Sequence, residues 1–355
     1  MNVRVSIPRG QQQARDRWNT HESGAAFDRK KTPYLTEQAQ KFIAEQSFFV
    51  MSGLGRYGEL DGLLVMGSPG IVQVPGMYTC LLRLEHTFST SRIVERLLYS
   101  SRRDQHAQLG LFFIRHATRE RLCVQGRAEP LLDSAFSSFF PSIKSIWVLV
   151  HVEQAFFHCV KYIRTRVPGF TSPVMREFQQ GWQLWDLCNG GQEYLSEDAC
   201  AFIRQQLLCF LCTVDRHGQC AVNHRGGSPG FLVPLPPDEQ FPGGIVLLPD
   251  YAGNGAFEAM GNILETGQVT LVIPCYPAHQ ALRVSGTASI LEMNELSADL
   301  ARQCIGAERV VALAVQRVEL QYGDWSATIA YERSLAESLS VSQKPVPVCP
   351  LTLRR

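Results

Sequence analysis

Asn223–Leu235 reads NHRGGSPGFLVPL: a strand that stops at a glycine-rich bend and restarts. The chain contains this bend twice. GSPG stands at Gly67–Gly70 and again at Gly227–Gly230, and around the first copy the sequence is LLVMGSPGI. Working outward, YLTEQAQKFI at Tyr34–Ile43 returns as YLSEDACAFI at Tyr194–Ile203, an offset of 194 minus 34, or 160. Gly58 and Gly218 share that offset, and so do Leu122, Val124, Gly126 and Ala128 with Leu282, Val284, Gly286 and Ala288. Chance does not hold one offset across separate segments. The chain is a tandem duplication of one domain of about 140 residues.

Each copy opens with a capped helix, Thr36 or Ser196 serving as N-cap before an apolar face at helical spacing. Short strands rich in Phe, Val, Leu and Ile follow. In the second copy they are LLCFLCTV, CAVNHR, GFLVPL, GIVLLP, QVTLVIP, ALRVSGTASIL and VVALAVQRVEL, punctuated by turns such as Asp215–Gly218 and Pro242–Gly244. Such a pattern predicts a mainly β fold, each copy a small closed or split barrel with flanking helices. The expected layout is an N-terminal arm over 1–33, copy one over 34–165 and a connector over 166–193. Copy two then covers 194–335 and a proline-containing tail 336–355. The polar, basic N-terminus is expected to be an exposed, poorly ordered arm, and Trp182 and Trp185 of the connector to pack on a barrel.

Composition excludes more than it identifies. Hydrophobic residues make up 45% and charged residues 19%, with a net charge of +1, so no global field draws the chain to nucleic acid or a membrane surface. No apolar run approaches the roughly 18 residues that span a bilayer, and the N-terminus lacks the apolar core of a secretory signal. The 11 cysteines have no framework spacing and sit mostly in apolar runs, which predicts buried free thiols and a cytoplasmic protein. Cys209 and Cys212 form C-x-x-C inside a strand-like run, where they point to opposite faces, so no metal site is expected. Gly53-Leu-Gly55-Arg-Tyr-Gly58 fits G-x-G-x-x-G, but a strand-like segment follows it instead of a helix, so it reads as a hairpin loop.

Comparison of the copies isolates the candidate site. GSPG is common to both and reads as architecture. Asn223, His224 and Arg225 are replaced by Leu63, Leu64 and Val65 in copy one, which argues for a function kept on one side. Next to them lies LLPDYAGNGAFEAMGNIL at Leu247–Leu264, a strand, a polar turn and a helix start. Backbone NH groups at such a corner, with Arg225 and His224 nearby, suit an anion.

Tyr194–Ser289 resembles the FMN-binding split barrels related to pyridoxamine 5'-phosphate oxidase. The resemblance rests on LSEDACAFI, FLCTVDRHGQCAVNHRGGSPGF, LLPDYAGNGAFEAMGNILETGQVTLVIP and LRVSGTASI. It implies that Asn223, His224, Arg225 and Gly226 lie beside a flavin, with Tyr251, Gly253 and Asn254 near its phosphate. Gly255 stands where members often carry Arg or Asn. In copy one, Val148–Gly169 (VLVHVEQAFFHCVKYIRTRVPG) resembles the family's FFHCAKA-type segment and is expected to be helical. It offers Lys161 and Arg164 to the cofactor and His158 as a proton donor. Ser89, Ser91 and Arg92 resemble a phosphate corner and mark a second candidate site, or else simply cap a helix.

Because the family's barrels are homodimers with flavins at the interface, the resemblance implies two split β-barrels packed as an internal pseudo-dimer. It leaves further homo-oligomerisation open. Whether the copy-one and copy-two elements meet across that interface decides between one complete site and none. The resulting expectation is an FMN-dependent oxidoreductase acting on a small molecule of unknown identity. A non-catalytic flavin, deazaflavin or haem module is the alternative.

Overall fold

A computed structural model describes residues 7–85, 91–99, 107–131, 145–173, 191–253 and 257–339. The first copy carries α3 (Glu37–Ala44), strands β1 (Phe48–Leu54), β2 (Leu60–Met66), β3 (Val72–Gly76) and β4 (Thr79–Glu85), helix α4 (Arg92–Tyr99), and β5 (Ala107–Arg115), β6 (Glu120–Pro130) and β7 (Ser145–Phe157). The second carries α5 (Glu197–Gln205), β8 (Leu208–Val214), β9 (Cys220–Gly226), β10 (Val233–Leu235), β11 (Ile245–Tyr251), α6 (Glu258–Thr266), β12 (Gln268–Cys275), β13 (Gln280–Glu292), α7 (Ala298–Gln303), β14 (Ala307–Tyr322) and α8 (Ser326–Leu339).

Each copy forms one seven-stranded antiparallel sheet. The orders, β2-β1-β5-β6-β7-β4-β3 and β10-β11-β14-β13-β12-β8-β9, are the same path read from opposite ends. The residues that revealed the repeat are those the fold constrains. Gly58 and Gly218 turn their hairpins at φ 84° and 80°, and Gly70 and Gly230 close the GSPG bends at φ 90° and 87°, in the region that excludes most side chains. Gly126 and Gly286 each follow a β-bulge at matching positions of β6 and β13. Thr36 and Ser196 cap their helices as expected, accepting from Ala39 N at 3.2 Å and Ala199 N at 3.1 Å.

Strands β1, β5, β8 and β12 are apolar at nearly every position because both their faces are covered. Phe49 and Met51 point into the interior of the first barrel, whereas Phe48 and Val50 point into a core shared by both copies. The second copy mirrors this: Cys209 and Leu211 face its own interior, and Phe210 and Cys212 the shared core. Cys209 and Cys212 thus lie on opposite faces, as strand periodicity requires. Phe112 and Phe210 meet across the interface with ring centroids 5.9 Å apart. Burying each such ring contributes roughly 1.5–3 kcal/mol, so the two barrels are held as one body by an apolar seam. The mainly β, paired-barrel architecture is as the sequence implies.

Three features differ from the sequence expectation. The N-terminal arm carries two helices. Helices α1 (Arg9–Trp18) and α2 (His21–Asp28) pack against the second and first copies respectively. Gly10 crosses α6 at Gly261 so closely that a Cβ on Gly10 would fall 2.2 Å from the Gly261 carbonyl oxygen. The FFHCVK segment is not a helix. β7 ends at Phe157, and the chain continues through irregular structure with Tyr162 at φ 62°. Finally, α8 runs past the expected start of the tail and clasps the first copy, Thr328 Oγ1 donating to Gly67 O (2.6 Å) and Ser47 Oγ to Glu332 Oε1 (2.7 Å). Trp182, Trp185 and residues 340–355 lie outside the described residues.

Candidate functional site

The edge strand β9 of copy two and the segment following β7 of copy one meet at a cleft between the barrels. It contains about 870 Å³ of empty space, part of it open to solvent. His158, Lys161, Asn223, His224, Arg225, Gly226, Tyr251 and Gly253 all line it. The two halves of the motif set, each private to one copy, therefore do meet across the interface. Gly226 is what permits the approach: a Cβ there would lie 2.7 Å from the Tyr162 carbonyl oxygen. Tyr162 OH in turn donates to Ala252 O at 2.9 Å, tying the copy-one segment to the end of β11.

The cleft wall carries four cations, Arg121, Lys161, Arg225 and Arg309, against two carboxylates, Asp250 and Glu308. Asp250 bridges two of the cations, accepting from Arg225 Nη1 at 2.5 Å and from Arg309 Nη1 at 3.1 Å. Arg121 braces the copy-one segment, donating from Nε to Cys159 O (2.8 Å). His158 Nε2 lies 3.0 Å from Cys123 Sγ.

Burial, then the positive charges of Arg121, Lys31 and Arg225, hold the His158 imidazole well below its usual pKa. Burial, then Arg121, His116 and Arg225, do the same to His224. Both rings are therefore neutral at neutral pH, each offering one donor and one acceptor nitrogen. His224 is only 5% exposed, yet neither of its nitrogens has a protein partner, and Asn223 Oδ1 and Arg225 Nε are likewise buried and unpaired.

Three predicted residues sit elsewhere or lie outside the described residues. Arg164 does not line the cleft; it backs the GSPG bend, donating from Nε to Gly227 O at 3.1 Å. Asn254 and Ser89 lie outside the described residues.

Ser91 and Arg92 belong to the pseudo-symmetric corner, which is closed by a buried ion network. Ser91 Oγ and Arg92 N both donate to Asp61 Oδ2 at 3.0 Å. Arg283 Nη1 donates to Asp61 Oδ1 at 2.8 Å, and Arg92 grips Glu319 through two hydrogen bonds of 2.8 Å. Burial alone would raise Glu319, but Arg92 and Arg283 outweigh it and hold its carboxyl below the usual range. Strand pairing sets Gln321 opposite Ala281, where His158 follows Phe157 in copy one. Gln321 bonds to both backbone groups of Leu64, the residue aligned with His224. One corner thus lines a cleft with unpaired polar groups, whereas at its twin the carboxylates of Asp61 and Glu319 and the amide of Gln321 are engaged in internal bonds.

Sequence reading missed Arg121, Tyr162, Asp250, Phe257 and Arg309 in the cleft wall. The register contains the signal for two of them. Counted back from the shared bulges, Asp250 opposite Arg309 in copy two occupies the place of Leu84 opposite Ile146 in copy one. This is the same polar-for-apolar exchange as Arg225 for Val65.

Among the described residues no group of three or more potential ligands is arranged for a metal ion, and no helix is long and apolar enough to cross a membrane.

Paired split barrels with a cleft at their junction define the class of protein. No protein-family model matches the sequence, and no curated protein matches it. Solved structures do. HupZ of Group A Streptococcus is 17% identical, with 35% of this chain and 90% of that chain covered at a TM-score of 0.27. A protein related to general stress protein 26, of the pyridoxinephosphate oxidase family, from Clostridium acetobutylicum is 14% identical (34% and 85% covered, TM-score 0.24). The FAD binding protein of Mycobacterium smegmatis is 13% identical (35% and 94% covered, TM-score 0.23).

Proposed function

We propose that the chain is a flavoprotein with one FMN site, in the cleft between its two copies, and that it acts as an oxidoreductase on a small molecule. The observation that carries this reading is the convergence on one cleft of two motif sets, each kept by only one copy, while the equivalent corner is closed by its own ion pairs. Asn223 and Arg225 point to one face of the edge strand and His224 to the other, and all three line the cleft with buried atoms that have no protein partner. Each costs about 1–3 kcal/mol if left without a partner, and the edge of an isoalloxazine ring supplies complementary groups.

Asn223, His224, Arg225 and Gly226 would hold the ring. Arg121 and Lys161 supply positive charge for the phosphate or for the reduced ring, and Tyr251, Gly253 and Asn254 complete the phosphate side. FMN, when bound, supplies hydride or single-electron transfer. The chain's own residues do the rest. Phe112, Phe231, Phe257 and Met260 exclude water from the wall. Arg225 and Arg121 favour negative charge in the cleft. His158, kept neutral beside Cys123, holds a proton there.

Absorbance of the purified chain tests the proposal, with the released cofactor identified by mass. Flavin bands and a titration endpoint of one FMN per chain support it. A deazaflavin or haem spectrum changes the cofactor assignment, and a colourless chain that takes up no FMN refutes it.

A further inference from the structure

We infer that helix α1 sets the orientation of Arg225 in the cleft, acting through Arg309 and Asp250, so that Trp18, Arg309 and Asp250 are positioning residues for the ligand held there. The inference rests on the reading of the cleft as an FMN site.

The connection is continuous. Arg225 donates to one oxygen of Asp250 and Arg309 to the other. Arg309 is 5% exposed, and its guanidinium lies between two aromatic faces, 4.2 Å from the ring centre of Trp18 and 5.6 Å from that of Phe257. Trp18 is itself fixed, stacked on Phe257 at 5.5 Å and donating from Nε1 to Glu292 Oε1 at 3.0 Å. Further along α1, Gly10 N donates to Glu265 Oε1 at the Gly10–Gly261 crossing, which locks the helix to α6. The order is therefore α1, Trp18, Arg309, Asp250, Arg225, cleft.

The internal repeat gives independent support. In copy one the positions of Arg225, Asp250 and Arg309 hold Val65, Leu84 and Ile146, all buried and apolar. The three polar groups are present together or absent together, as expected of parts that act through one another. The physical reason is the shared carboxylate. With Arg309 clamped by two aromatic faces, Asp250 has one fixed partner and one free direction, and Arg225 is held at that direction. Without the Trp18 face, Arg309 keeps Phe257 and its bond from Nη2 to Glu308 Oε2 (2.7 Å) but loses the nearer of its two aromatic walls, so Asp250 can follow its shift and Arg225 loses its fixed anchor.

The experiment is a double-mutant cycle on FMN affinity with Trp18→Leu, Arg225→Ala and the double variant, read by titration. Trp18→Leu is expected to weaken FMN binding about five- to tenfold, the scale of a lost partly buried cation–π contact. In the Arg225→Ala background it is expected to weaken binding no further. Trp18→Phe, which keeps an aromatic face, is expected to recover most of the affinity, and thermal melts confirm that each variant is folded. Independent, multiplying effects of the two substitutions overturn the inference.

A second arm needs no flavin. Arginine Nε–H resonances of the ligand-free chain are compared with and without Trp18→Leu. A shift at both Arg309 and Arg225 supports the relay, and a shift at Arg309 alone overturns it. If the wild-type chain takes up no FMN, the functional reading fails while this arm still decides the relay.

Discussion

Replacing Arg225 by Ala, beside its aligned partner Val65 by Ala, separates function from architecture within one molecule. Arg225 keeps 22% of its side chain exposed at the cleft, and among the described residues it pairs with Asp250. Its removal deletes one charge-assisted contact to the bound flavin, roughly 1.5–3 kcal/mol, which corresponds to about a ten- to hundredfold rise in the FMN dissociation constant. Asp250 retains Arg309, so the fold loses little. Val65, fully buried in the interior of the first barrel, faces no ligand. Truncating it removes two methyl groups and costs on the order of 2 kcal/mol of stability, with FMN affinity unchanged. The assay is an equilibrium FMN titration by flavin fluorescence alongside thermal melts of the same samples. Equal losses of affinity in the two variants, or a loss in neither, refute the one-site reasoning.

Two further predictions concern stability. Asp61→Ala leaves Arg283, 3% exposed, with Glu319 as its remaining carboxylate and takes the acceptor from Ser91 Oγ and Arg92 N, so it is expected to destabilise the chain by about 1–3 kcal/mol in a urea titration while leaving any FMN affinity intact. Acid should weaken the fold before the carboxylates titrate. Burial pushes His116 down to about 4, with a smaller opposing contribution from its bond to Arg164 O, and it holds His158 and His224 down as well. For a base whose folded pKa is lowered, the unfolded chain takes up the proton first. Stability is therefore complete above pH about 6.5 and falls as pH drops from there toward 4, by roughly 3 kcal/mol from His116 alone. Denaturation curves measured at intervals between pH 7 and 4 check this. A flat profile refutes it, and His116→Phe should flatten the profile in part.

The fold was legible because the repeat is carried by residues with few alternatives. Gly58, Gly70, Gly218 and Gly230 sit at positive φ, and the Gly126 and Gly286 bulges admit no Cβ, so these positions kept their identity while the strands between them drifted. Asn223, His224 and Arg225 stood out because they interrupt an apolar pattern that the other copy preserves. Asp250 and Arg309 interrupt it too, but they are 59 residues apart in sequence and only strand pairing shows them as one unit. The N-terminal helices were illegible for a different reason. QQQARDRW has the composition of a solvated arm, and what orders it is a glycine crossing and a tryptophan stack against residues some 250 positions away. The FFHCVK segment was expected to be helical on its resemblance alone, whereas its first residues complete a long strand that pairs with β6 as far as Phe157.

The closed corner around Asp61 has a consequence for how such a molecule can change. In a two-fold homodimer every substitution appears in both clefts, so neither cleft can be modified without modifying the other. Joining the copies in one chain removes that constraint. Arg92, Arg283 and Glu319 can seal one cleft and stiffen the junction, because the same exchange is not imposed on His158 and Arg225. The corner around Asp61 serves as a rivet between the halves, and the cleft at His158 and Arg225 is under no obligation to share its shape or charge.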